Sequence, residues 1–103
     1  MTEFQIKCYE ALKTQVPIGR VITYADLATL IGHPNAYRAV GSAMNKNPFA
    51  PKVPCHRVVK SNGEIGGFAD DIKIKISRLK DEGIETLNGN IVNFEGCQYL
   101  PKK

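Results

Sequence analysis

With 103 residues, 43% of them hydrophobic and 23% charged, the chain is sized for one domain over 1–103 and too short for a second core. No stretch approaches the roughly 20 apolar residues of a membrane span, and Met1–Thr2–Glu3 leads into mixed polar sequence rather than a signal peptide's basic start, so a cytoplasmic protein with no membrane partner is expected. Three cysteines with no Cys-x-x-Cys pair read as free thiols and argue against a disulfide framework and a zinc site; the formal charge of +4 suits a polyanion without demanding one.

Thr2 and Gln5 have the spacing of a capping box, and Phe4, Cys8, Ala11 and Leu12 share one helical face before Pro17–Ile18–Gly19 stops the run, so a first helix is expected over 3–15. Val21 and Ile22 form a short strand-like entry. Thr23 can cap a second helix through Asp26, with Leu27, Ala28, Leu30 and Ile31 recurring until Gly32 ends it. Pro34 opens a third helix, about 35–44, that carries Ala36, Val40, Ala43 and Met44 inward. Two short helices joined by Gly32–His33–Pro34 suggest a helix-turn-helix.

Pro48, Pro51 and Pro54 each fix φ and restrain the preceding residue, so Cys55 is expected on a rigid, extended, non-helical stretch. Val58–Val59, Asn62–Gly63 and Ile65 give a hairpin signal for a wing, since Asn-Gly supplies the positive φ values of a type I′ turn. Asp70 or Asp71 can cap a last helix with Ile72, Ile76 and Leu79 on its inner face and Gly83 beyond its end, and Asn88–Gly89 gives a second hairpin signal. The fold class expected is mainly α with small β hairpins, a winged-helix-like helix-turn-helix DNA-binding domain.

Chemistry concentrates in Val53–Pro54–Cys55–His56–Arg57–Val58–Val59. A cysteine followed by two basic residues is expected to give up its proton more readily than a free thiol, and only the thiolate is a strong nucleophile. Taken in isolation, such a Cys-His pair is more often a small buried hydrophobe beside a surface histidine.

Pro54–Cys55–His56–Arg57–Val58 nevertheless resembles the active-site signature of the O6-alkylguanine-DNA alkyltransferase family. It stands in order with other segments similar to that family. Gly19–Arg20–Val21–Ile22–Thr23–Tyr24–Ala25–Asp26–Leu27–Ala28 resembles the strand and first helix of its helix-turn-helix, and Ala36–Tyr37–Arg38–Ala39–Val40–Gly41 its recognition helix. Asn45–Lys46–Asn47–Pro48 resembles the hinge loop, Gly66–Gly67–Phe68–Ala69 the loop that closes over the base, and Leu79–Lys80–Asp81–Glu82–Gly83 the helix end that supplies a carboxylate. The likeness spans about 4–84 and implies the family's catalytic carboxy-terminal domain alone, without cofactor or metal.

The resemblance implies single-turnover transfer of a methyl or other alkyl group from O6-alkylguanine, in double-stranded DNA, to Cys55. The nucleotide is flipped out after minor-groove binding, because the alkyl carbon cannot meet an in-line thiolate inside the stack. Cys55 is then the nucleophile, His56 the base that takes its proton through a water, and Glu82 the carboxylate that orients His56. On that mechanism, neutralising Glu82 should affect chemistry and leave folding largely intact. Asn47 would brace the cysteine loop, and Tyr24 would hydrogen-bond or protonate the guanine as negative charge develops on it.

Base-pocket residues implied are Tyr24, the carbonyls of Cys55 and Val58, Phe68 where the family often has tyrosine, and the Ala69 amide. DNA-facing residues implied are Arg38, which would fill the vacancy of the flipped base, Tyr37, Ala36, Ala39, Gly41 and Asn45. Small residues there would permit close approach to the groove, with helix packing the alternative for Ala43. Tyr37 is bulkier than the small residue of some relatives, and Asp70–Asp71 depart from a common glycine and read as helix caps. A monomer is expected. Two other readings compete: an alkyltransferase-like lesion binder, which usually has lost the cysteine that Cys55 retains, and a winged-helix transcription regulator, which leaves Cys55, His56 and Glu82 without a purpose.

Overall fold

In the computed structural model, which describes residues 2–49, 52–66 and 72–100, helix α1 (Glu3–Gln15) starts with both halves of the capping box. The Thr2 hydroxyl accepts from the Gln5 amide at 3.1 Å, and the Gln5 side chain accepts from the Thr2 amide at 2.9 Å. Cys8, Tyr9, Ala11 and Leu12 are its buried face, with Phe4 packed at the edge. Tyr9 was not on the expected stripe; its hydroxyl donates to the Ala43 carbonyl at 2.7 Å, which lets the phenol be buried without an orphaned donor.

Strand β1 (Ile22–Thr23) runs straight into α2 (Tyr24–Leu30), whose first turn is capped by the Thr23 hydroxyl accepting from the Asp26 amide at 3.0 Å. Gly32 ends this helix at φ +84°, where a side chain would be strained, and its amide and that of His33 satisfy the Thr29 and Ala28 carbonyls. Helix α3 (Tyr37–Asn45) starts later than Pro34. The Ala36 amide donates back to the His33 carbonyl at 2.9 Å, closing a turn over Pro34 and Asn35 that leaves Ala36 as the half-buried N-cap. Val40, Ala43 and Met44 do face inward, and α1, α2 and α3 enclose one core with Ile22, Val53, Cys55 and Val58.

Two expectations about the middle of the chain are corrected. Cys55–Arg57 is not extended: it forms a 3-10 turn, with the Arg57 amide donating to the Pro54 carbonyl at 2.9 Å. Proline's fixed φ suits the start of such a turn as well as an extended strand. Strand β2 (Val58–Val59), moreover, is no hairpin arm but pairs in parallel with β1, in register Ile22↔Val58 and Thr23↔Val59. Both valines are fully buried, as a two-sided apolar strand demands. At the following turn only Gly63 has positive φ, and Asn62 spends its side chain accepting from the Glu64 amide, so no type I′ turn forms.

The second Asn-Gly pair does make the hairpin. Strands β3 (Thr86–Leu87) and β4 (Asn90–Ile91) are antiparallel across Asn88 at φ +53° and Gly89 at φ +80°. Helix α4 (Ile72–Asp81) buries Lys75 and Leu79 and packs Ile76 against the second core, as expected for Ile76 and Leu79, while Ile72 is 40% exposed and its expected place inside is taken by Lys75. Asp70 and Asp71, read as its caps, lie outside the described residues. A second core of Val21, Val59, Ile65, Leu79, Ile84 and Ile91 joins α4 to the hairpin, and after the short α5 (Phe94–Cys97) the chain returns beside Val21, whose carbonyl accepts from the Tyr99 amide. The fold is mainly helical, with two small sheets around a helix-turn-helix.

Candidate active site

Cys55 opens the 3-10 turn with its side chain in the core; it is 3% exposed. Its amide donates to the Val53 carbonyl at 2.9 Å, and the same carbonyl accepts from Asn47 Nδ2 at 2.9 Å. The Asn47 Oδ1 atom accepts from the Phe49 amide at 2.9 Å. One side chain thus ties the end of α3 to the backbone two residues before the thiol.

His56, 3% exposed, meets Glu82 through Nε2 and Oε2 at 2.8 Å. Arg57 grips the same carboxylate with both arms, Nε to Oε1 and Nη2 to Oε2, each 2.8 Å, and its Nη1 donates to the Val16 carbonyl at 2.8 Å. The end of α1, the 3-10 turn and the residue after α4 are therefore one network. Burial pushes the Glu82 carboxyl upward, but the bonds from Arg57 and His56 and the neighbouring charge outweigh it and hold it below the ordinary 4.5.

For His56, burial is the largest influence and disfavours the cation; Glu82 opposes it, Arg57 and Arg78 reinforce it, and the imidazole ends below its ordinary 6.5. A charged His56 and a lowered His56 cannot both help Glu82 at neutral pH. The bidentate Arg57 is the sufficient cause, and the imidazole is neutral. A neutral ring that faces a carboxylate through Nε2 carries its proton there. That leaves Nδ1 as a bare acceptor, buried and without a hydrogen-bond partner among the described residues. Such an atom can receive a proton.

Tyr24, at the first turn of α2, packs against the core that holds Cys55. Burial raises its hydroxyl above the ordinary 10.0, and the Cys55 thiolate pushes in the same direction, so the phenol stays protonated and able to donate. A Cβ on Gly66 would lie 3.4 Å from this hydroxyl, so the backbone of the next loop approaches the phenol closely. The Val58 carbonyl accepts from Lys75 Nζ at 2.8 Å. Phe68 and Ala69, the remaining expected members of a base pocket, lie outside the described residues.

On α3, Tyr37, Arg38, Ala39 and Asn45 are exposed, and the Arg38 guanidinium lies 6.0 Å from the Tyr37 ring centre. Gly41 is half-buried with the Tyr24 ring nearby, whereas Ala43 belongs to the core. A cleft of about 270 Å³ lined by Tyr24, Ala25, Tyr37, Lys60, Ser61 and Asn62 joins the α3 start to the turn after β2. The other sulfurs are elsewhere: burial raises Cys8 to about 11, and Cys97 is also raised by burial. His33 is exposed and tilts against Phe4 at 5.8 Å.

The sequence offered Arg57 only as a basic neighbour of Cys55, with no sign of its grip on Glu82, and did not single out Lys75. The signal for Lys75 was available in the spacing: Lys75 and Leu79 stand at i and i+4 on one stripe of α4, and Glu82, just past the helix end, follows at i+7.

Residues 3–84 match the family described as 6-O-methylguanine DNA methyltransferase, DNA binding domain. The chain is 50% identical over 82 residues to the methylated-DNA–protein-cysteine methyltransferase of Methanosarcina acetivorans, covering 80% of this chain and 52% of that protein. It is similar to the crystal structure of Mycobacterium tuberculosis OGT in complex with DNA, with TM-score 0.77, 40% identity, and coverage of 81% of this chain and 50% of that one. It is similar also to S. pombe Atl1 in complex with damaged DNA containing O6-carboxymethylguanine, with TM-score 0.81, 33% identity, and 98% of both chains covered. The chain spans about half the length of the curated relatives it matches. The match falls on the amino-terminal part of this chain and is to a DNA-binding domain, so the expectation of a carboxy-terminal catalytic domain alone is corrected.

Proposed function

The chain belongs to the 6-O-methylguanine DNA methyltransferase family, and we propose that it repairs O6-alkylguanine in duplex DNA by moving the alkyl group irreversibly onto Cys55. The observation that carries this reading is a buried cysteine followed directly in the chain by a neutral imidazole whose Nε2 is held by Glu82 and whose Nδ1 has no hydrogen-bond partner among the described residues. Through one water, Nδ1 takes the Cys55 proton; Sγ then attacks the alkyl carbon as its bond to O6 breaks. Tyr24 donates to the leaving guanine, where the charge goes. Asn47 braces the cysteine loop, and the Cys55 and Val58 carbonyls with Phe68 and Ala69 complete the base pocket.

On the DNA side, α3 would enter the minor groove with Ala36, Ala39 and Gly41 allowing close approach, Tyr37 and Asn45 flanking, and Arg38 filling the gap of the flipped base. Residues 1–103 act as one domain, monomeric and cytoplasmic; among the described residues no helix is long and apolar enough to cross a membrane. The test is incubation with duplex DNA carrying a single O6-methylguanine. Lesion loss should plateau at one equivalent of protein, because a thioether offers no route back to the thiol; absence of lesion loss would count against transfer.

The likeness to Atl1 along its whole length favours one rival, a lesion binder that transfers nothing. In either case Arg38→Ala should weaken action on duplex DNA. The transfer reading adds that reaction with a free alkylguanine base, which needs no unstacking, should stay within about twofold of wild type. Equal loss on both substrates would remove Arg38 from the flipping step.

A further inference from the structure

The family match ends at residue 84, and the segment beyond it is bonded to both walls of the cleft beside the α3 start. One wall is Lys60, Ser61 and Asn62, exposed side chains on the turn after β2; the other is Tyr24 and Ala25 at the start of α2, with Tyr37 beside them. Behind the turn, the Ile91 amide donates to the Gly63 carbonyl at 2.8 Å, and the Ile65 amide to the Gly89 carbonyl at 2.9 Å. The Phe94 ring backs Gly63 so closely that an added Cβ there would meet it at 3.4 Å. On the α2 side, the Val21 amide donates to the Cys97 carbonyl at 2.9 Å and Arg20 Nη1 to the Gly96 carbonyl at 2.6 Å. Gln98 Nε2 donates to Asp26 Oδ2 at 3.3 Å, in the same helical turn as Tyr24.

We propose that residues 85–99 position this cleft for duplex DNA. The hairpin and α5 hold the turn 60–64 in place across from Tyr24, so that Lys60, Ser61 and Asn62 meet the sugar-phosphate backbone as α3 enters the groove. This rests on α3 facing DNA. Phe94 is the central positioning residue: it is half-buried behind Gly63, does not line the cleft, and acts through the turn.

The turn has little of its own to hold it. Gly63 stands at φ +89°, and the local bonds are those from the Lys60 amide to the Glu64 carbonyl, from the Gly63 amide to the Lys60 carbonyl and from the Glu64 amide to Asn62 Oδ1, beside an exposed Lys60–Glu64 pair at 3.6 Å. A surface turn of that kind keeps one geometry when something packs behind it. Here the backing is Ile65 and Ile91 of the second core, with Phe94 packed on it. Phosphate contacts set the register of a protein on a duplex, and side chains already in place lose less freedom when they bind. The brace reaches the base side as well, since Ile65, bonded to Gly89, precedes Gly66, whose backbone lies against the Tyr24 hydroxyl.

The experiment titrates a duplex carrying O6-methylguanine at fixed salt with wild type, Phe94→Ala and Ile84→Ala, and follows the reaction of each with a free alkylguanine base. Ile84 is buried in the same second core on its α4 side, where its amide donates to the Leu79 carbonyl, so its loss loosens that core without removing the ring behind Gly63. Expected for Phe94→Ala is about fivefold weaker duplex binding with free-base reaction within about twofold of wild type, while Ile84→Ala stays within about twofold on both. A folded Phe94→Ala protein with wild-type affinity overturns the proposal. Equal weakening in Ile84→Ala, or a free-base reaction that falls as far as the affinity, overturns it too, because either would show general loosening. Should Phe94→Ala fail to fold, Phe94→Leu, which keeps an apolar side chain but no ring behind Gly63, is judged by the same outcomes. A wild-type protein that bound no duplex would overturn the DNA-facing reading together with this one. A wild type that bound duplex, with Phe94→Ala binding equally well, would overturn this one alone.

Discussion

Cys55→Ser should abolish alkyl transfer completely while leaving affinity for lesion-bearing duplex DNA within about twofold, since docking rests on α3 and phosphate contacts rather than on a buried sulfur. The reason lies in the protonation chemistry: the His56–Glu82 pair can accept a proton of thiol acidity, and a serine hydroxyl does not ionise at neutral pH in a site that is 3% exposed. Lesion loss is followed by chromatography and affinity by titration at fixed salt. If the serine variant acted like wild type in every respect, the protein would be a lesion binder and Cys55 a core residue. If neither protein bound the lesion, the DNA-facing assignment of α3 would go as well.

Glu82→Gln should lose twice over. Sequence alone suggested that this change would spare the fold, but the carboxylate proves to be the counter-charge of Arg57, whose side chain is 10% exposed and which has both arms on it. Leaving a buried guanidinium unmatched costs about 3 kcal/mol, measurable by urea denaturation. Transfer should also slow by roughly 10²-fold, because His56 loses the partner that fixes its tautomer and balances the proton it accepts. The pH dependence separates the effects. A carboxyl depressed in the folded state contributes stability that is fully present above its unfolded value, near 4.5, and is lost as pH falls through the folded value. That acid limb should be present in wild type and flattened in Glu82→Gln; an unchanged limb with unchanged stability would show that the Arg57–Glu82 contact does not hold in solution.

Local signals were legible where the chain satisfies itself locally. Thr2, Thr23 and Gly32 start and stop helices by bonds within four or five residues, and each lies where its pattern places it. The Cys55, His56 and Glu82 assignment came from ordered motifs, and the structure brings His56 and Glu82 into contact across 26 residues. What failed depended on distant partners. Asn62–Gly63 and Asn88–Gly89 are the same dipeptide, and only the second makes a hairpin, because Val58–Val59 finds a buried parallel partner in β1. Spacing puts Lys75 in line with Leu79, but what holds a lysine inside is the Val58 carbonyl on another element. Arg57 reads as a surface cation until Glu82 and the Val16 carbonyl are known to converge on it.

The most direct measurement is the mass of the protein after reaction with duplex DNA carrying isotopically labelled O6-methylguanine, with every cysteine peptide resolved. The expected result is one labelled methyl per molecule, confined to the peptide containing Cys55, and no further lesion loss after one equivalent. Label on Cys8 or Cys97, turnover beyond one equivalent, or unlabelled protein alongside bound but intact lesion would each contradict Cys55 as the self-sacrificing acceptor.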